Sequence, residues 1–106
     1  MPEYSVYVIE LDKQVLEKAA FRTKNPNYNP KKPCVYVGQT AKTPQERFEQ
    51  HRLGVRSNGY VKAFGVRLRP RFYEKHNPLP TREAAEKEER QLANRLRKKG
   101  YGVWWN

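Results

Sequence analysis

Cysteine is nearly missing from this chain: Cys34 is the only one in 106 residues. A lone thiol excludes an intrachain disulfide and a zinc site built from several cysteines. Acidic residues are scarce too, 11 against 22 lysines and arginines, which leaves a formal net charge of +11. Long apolar runs are absent. No segment approaches the roughly 20 apolar residues of a membrane-spanning helix, and the N-terminus lacks a charged-then-apolar signal pattern. A reducing, cytoplasmic setting is expected. Apolar residues make up only 37% of the chain, so the core must be small, yet 12% are aromatic. That share of rings argues against a disordered basic tail. The length supports one domain, residues 1–106.

The positive surplus points to a polyanion, with nucleic acid the leading candidate. It is unevenly spread. Residues 1–21 are nearly neutral, whereas 22–33 carry four bases and no acid. From Arg52 to Lys75 there are seven bases and one acid, interleaved with Tyr60, Phe64, Phe72 and Tyr73. Bases among rings suit a phosphate backbone and stacked bases, although the same residues could serve only as a solvated surface. Lys31, Lys32, Arg52, Arg56, Lys62, Arg67, Arg69 and Arg71 are the candidate nucleic-acid contacts. In residues 81–99 acids come first and bases last, as a helix dipole favours.

The periodicity predicts an α+β domain. Residues 4–11 (YSVYVIEL) and 34–38 (CVYVG) read as strands. Asp12 caps an expected helix over 13–21. The proline- and asparagine-rich stretch to Pro33 is a loop. Thr43-Pro44-Gln45-Glu46 is a capping box with proline at the first helical position, opening a helix to about Leu53. A short turn follows from Ser57 or Asn58 to Phe64. Val66–Leu68 is a third strand, which Pro70 would put at a sheet edge. A long helix spans Arg82–Lys99, and 103–105 could add a short strand. The expected sheet is small, three-stranded and mainly antiparallel, flanked by helices, with an insertion of helix and loop at about 12–33.

Two helices carry polar groups where packing would prefer carbon. Phe48 marks the inward side of the helix from Pro44, with Arg47 beside it and His51 one turn further on. In the last helix Ala85, Leu92, Ala93 and Leu96 form an apolar stripe, and Glu89 falls in the middle of it. Buried carboxylates are usually paired or bound to a metal. A structural ion pair between Glu89 and Arg47 is one reading. A cleft holding a carboxylate, a guanidinium and an imidazole around a metal and a phosphate is the other.

Ser5-Val6-Tyr7 followed by Tyr36-Val37-Gly38 resembles the two half-motifs of the GIY-YIG nuclease superfamily. Arg47 and His51 on the next helix, and Glu89 with Ala85 before it and Leu92 after it, complete the resemblance across nearly the whole chain. It departs from the pattern in three ways. Ser5 stands in place of glycine, the half-motifs are far apart, and Tyr36 to Arg47 is one residue longer than usual.

The resemblance implies a divalent-metal-dependent endonuclease that hydrolyses DNA phosphodiester bonds. Glu89 would hold one ion, Mg2+ or Mn2+. Arg47 would bind the phosphate, and Tyr7 would contact the attacking water. Tyr36 would orient the water or phosphate, and His51 could share the proton transfer. Gly38 would let backbone approach the site, and the terminal Asn106 could match a family asparagine. DNA is the expected partner, with RNA also open, and targeting would come from the basic run, a homodimer or a partner protein. A non-catalytic nucleic-acid-binding module of the same fold is the alternative. Cys34 reads as a small strand residue, and Trp104 and Trp105 as packing for the C-terminus or a partner surface.

Overall fold

The computed structural model describes residues 3–54 and 59–105. Arg56, Ser57, Asn58 and Asn106 lie outside the described residues. Four strands form one sheet: β1 (Ser5–Leu11), β2 (Cys34–Thr40), β3 (Gly65–Leu68) and β4 (Gly102–Trp105), in the order β3-β1-β2-β4. The helices are α1 (Ala19–Lys24), α2 (Pro44–Leu53), α3 (Gly59–Phe64) and α4 (Arg82–Lys98).

The expected α+β class holds, but the sheet has four strands and is mixed. β1 pairs antiparallel with β2 and with β3, while β4 runs parallel to β2. The reason lies in α4, which packs along β4, β2 and β1. The helix carries the chain back to the starting end of β2, so the last segment must run in the same direction as β2. β3 is an edge strand, as Pro70 suggested.

The expected helix over 13–21 is broken. Lys13–Glu17 forms a 3-10 turn capped by Asp12, whose carboxylate accepts from the Gln14 amide at 2.8 Å. Lys18 is extended, and α1 starts after it. Val15 and Phe21 explain the break. Six residues apart, they would point in directions about 120° apart on one continuous helix, yet both are fully buried.

Two asparagine side chains complete the sheet's hydrogen bonding. Asn77 accepts from the Val6 amide and donates to the Val6 carbonyl, both at 2.9 Å. Asn25 does the same to Val103, accepting at 2.8 Å and donating at 3.0 Å. It also donates to the Phe21 carbonyl at 2.8 Å. The insertion therefore packs against the outer edge of β4, with Phe21 under Gly102 and Trp104. Trp104 meets Tyr60 edge-on at 4.7 Å between centroids, so it packs the C-terminal strand onto the sheet. Cys34 is a free, buried strand residue.

Candidate active site

The β1–β2 register sets Tyr7 opposite Gly38 and Ile9 opposite Tyr36. Cross-strand partners share a face, so Tyr7 and Tyr36 lie side by side, with ring centroids 6.2 Å apart. α2 enters with the capping box read from the sequence. The Thr43 hydroxyl accepts from the Glu46 amide at 3.1 Å, and Glu46 accepts from the Thr43 amide at 3.3 Å. The helix thus fixed places His51, 0% exposed, behind the two tyrosines. His51 Nε2 lies 3.0 Å from the Tyr7 hydroxyl. Which of the two donates depends on which ring nitrogen carries hydrogen.

Tyr7, Tyr36, Arg47 and Glu89 line one cleft of about 650 Å³, together with Lys24, Gln39, Glu86, Arg90, Arg97, Trp104 and Trp105. A second groove shares Gln39 and Arg47 with it and is bordered by Tyr4, Thr40, Lys42, Gln50 and Arg82. Gln50 lies beside Arg47 on α2. It is half-buried, because it accepts from Arg47 Nη1 at 3.1 Å and helps hold that guanidinium. Ala85, Leu92, Ala93 and Leu96 form the buried stripe of α4, and Glu89 emerges from it into the cleft.

The electrostatics follow from burial. The Glu89 carboxyl is pushed up to about 7, first by loss of water and then by the Glu86 charge. Burial raises the Tyr36 phenol to about 12, with Glu89 acting in the same sense and Arg47 against it. Tyr7 is raised further, by burial first and by the Tyr36 charge next, against the lowering effect of Arg47. His51 is lowered to about 4, by burial and then by the Arg47 charge, so its ring is neutral at pH 7.

The family model for the GIY-YIG catalytic domain matches residues 4–102. The chain belongs to the GIY-YIG family. No curated protein and no solved structure matches it. Membership points to a nuclease-type function, and a nuclease domain implies a nucleic-acid substrate. One departure from the GIY-YIG pattern is accommodated locally. Ser5 is an ordinary strand residue paired with Thr40. Gly38 serves a more specific need than backbone approach. A Cβ there would sit 2.5 Å from Tyr7 Cζ and Oη and 3.0 Å from Tyr36 Cε2.

GIY-YIG nucleases generally depend on a divalent metal. Among the described residues no three His, Cys, Asp or Glu side chains gather, so a cage made only of protein ligands does not fit. A site with one carboxylate, completed by phosphate oxygens and water, is a magnesium-type arrangement. Glu89 suits it, because a desolvated carboxylate beside Glu86 is relieved by a cation.

The described members of the expected nucleic-acid contacts lie outside this cleft. Arg67 and Arg69 both bind Glu10, at 3.1 and 2.7 Å, beside the β3 edge. Arg52 pairs with Glu49 at 3.6 Å. Lys32 lies over the Tyr101 ring at 5.4 Å. Lys62 is near Gly54, while Lys31 and Arg71 are exposed. None of these lines the cleft, whose basic residues are Lys24, Arg47, Arg90 and Arg97. Lys24, Arg90 and Arg97 were missed because two sit in an α4 charge pattern that a helix dipole already explains. The third sits in the insertion. No described helix is long and apolar enough to cross a membrane.

Proposed function

We propose that this protein is a divalent-metal-dependent endonuclease that hydrolyses DNA phosphodiester bonds. The observation that carries this reading is the convergence of Tyr7, Tyr36, Arg47 and Glu89 on one cleft. Their order in the chain is also the family's order. A purely binding module has no use for a half-buried carboxylate there.

Glu89 is the residue that would hold a magnesium or manganese ion. Bound there, such an ion supplies Lewis acidity toward the phosphate and stabilises the leaving oxygen. Arg47 offers fixed donors to the phosphate oxygens as charge builds on them. Tyr7 cannot be a standing phenolate at neutral pH, since burial holds its proton on. It can relay instead. As Tyr7 takes a proton from the attacking water, it hands its own to the neutral Nε2 of His51, 3.0 Å away. The negative charge developing on the phosphate opposes the Arg47 effect and raises the basicity of His51. Tyr36, above its ordinary range, stays a phenol and orients water or phosphate by donating a hydrogen bond.

The deciding experiment incubates supercoiled plasmid with magnesium or manganese, using the wild-type protein and Glu89→Gln. Metal-dependent nicking that the variant loses supports the enzyme. DNA binding without nicking at any metal concentration would make the protein a binding module.

A further inference from the structure

We propose that the cleft holds a stacking subsite for an unpaired nucleobase, built on Trp105 and Arg97, and that the substrate is therefore single-stranded or locally unpaired nucleic acid. The inference rests on the nuclease reading above and names its substrate class.

Trp104 is engaged by packing: Tyr60 meets it at 4.7 Å and Phe21 at 6.4 Å. Trp105 is different. It is half-buried, it lines the cleft that holds Tyr7, Arg47 and Glu89, and its ring lies 5.0 Å from the Arg97 guanidinium. That guanidinium is tied down. Arg97 Nε donates to Asn25 Oδ1 at 3.2 Å, and Nη2 donates to the Val103 carbonyl at 3.0 Å. A fixed cation against one side of an indole makes a rigid platform, and a base adds to such a platform at little entropic cost.

The chemistry around the platform fits one strand of nucleic acid. Lys24, Arg90 and Arg97 supply positive charge along the same wall. A groove with charge along it and a ring within it is how unpaired strands are held without sequence readout. A base in intact duplex is stacked on both faces and cannot reach a ring inside a cleft unless it leaves the stack. A phosphate-only site needs no tryptophan.

The chain has only two tryptophans, and both line this cleft, so intrinsic fluorescence reports on it directly. The experiment uses the full chain in excess EDTA, where nothing is cut. Oligo(dT) of eight residues and a hairpin duplex of equal charge are the two probes. We expect the single strand to quench tryptophan emission and to bind at least tenfold more tightly than the duplex. Trp105→Ala should weaken single-strand binding roughly tenfold, as loss of one base–aromatic stack does. Its duplex affinity should stay within twofold, and Trp105→Phe should recover most of the loss. Equal affinity for the two probes, or an unquenched signal at saturation, overturns the inference. The wild-type comparison decides the matter even if Trp105→Ala does not fold. Quenching by oligo(dT) without metal-dependent cleavage would keep the subsite and remove the nuclease. Cleavage of duplex and single strand at equal rates, without quenching, would do the reverse.

Discussion

Gly38 stands directly across the β1–β2 ladder from Tyr7, and the space a methyl group would occupy is already taken by the phenol head. The glycine of the second half-motif and the tyrosine of the first are thus one steric unit. The same phenol touches His51, so anything that pushes Tyr7 aside also breaks its contact with a buried base.

Gly38→Ala should therefore fold and fail. Tyr7 must move by about an ångström to clear the methyl, and misplacement of that size costs on the order of 100-fold in rate. Plasmid nicking should fall by that factor, while far-UV circular dichroism keeps the wild-type shape. Wild-type nicking by the variant would remove Tyr7 from the mechanism.

Glu89 and His51 give opposite pH signatures, measured by thermal unfolding in chelator. Glu89 sits near 7 when folded, against the ordinary glutamate value of 4.5, so the folded protein binds the extra proton between those values. That stability is present below pH 4.5 and lost as pH rises through 7. Glu89→Gln should match wild type near pH 4.5 and exceed it by a few degrees at pH 8. His51 is lowered from 6.5 to about 4. Its contribution is present above pH 6.5 and lost as pH falls through 4. His51→Gln should be less stable than wild type at pH 7, with the gap closing toward pH 4. A gap that is constant across pH would contradict the shift concerned.

Asn25→Ala should be strongly destabilising although it lies in a loop-rich insertion. It removes the side-chain acceptor of the Val103 amide at a buried edge and leaves the Val103 carbonyl to Arg97 Nη2. An unmet buried polar group costs about 1–3 kcal/mol, and a chain of this size loses about 4–8 °C per kcal/mol. A drop on the order of 10 °C is expected, with faster hydrogen exchange at Val103. A drop under 2 °C would show that the edge is held by other bonds.

Salt dependence should locate the bound strand. Each phosphate contact adds roughly 0.7 to 0.9 to the slope of log affinity against log salt. Lys24→Gln and Arg90→Gln should each flatten that slope by about one contact. Arg67→Gln, whose charge is spent on Glu10, should leave it unchanged. The reverse pattern would move the substrate to the β3 edge.

What could be read in advance was whatever depends on local chemistry. The Thr43–Glu46 capping box, the α4 stripe and the intrusion of Glu89 into it follow from spacing along one helix, and each is found. What could not be read depends on distant partners. The break at Lys18 arises because Val15 and Phe21 must both reach the core. The fourth strand depends on where α4 returns the chain. Arg67 and Arg69 looked available because Glu10, far away in sequence, gives no local sign that it will meet them.

The asparagine pairings at Val6 and Val103 bear on how copies of this protein behave toward each other. An open strand edge invites another strand to add to it. At Val103 that invitation is withdrawn by one amide side chain presenting the donor and acceptor a neighbouring strand would have offered. The insertion between the half-motifs thus acts as a guard against polymerisation beside the tryptophan wall.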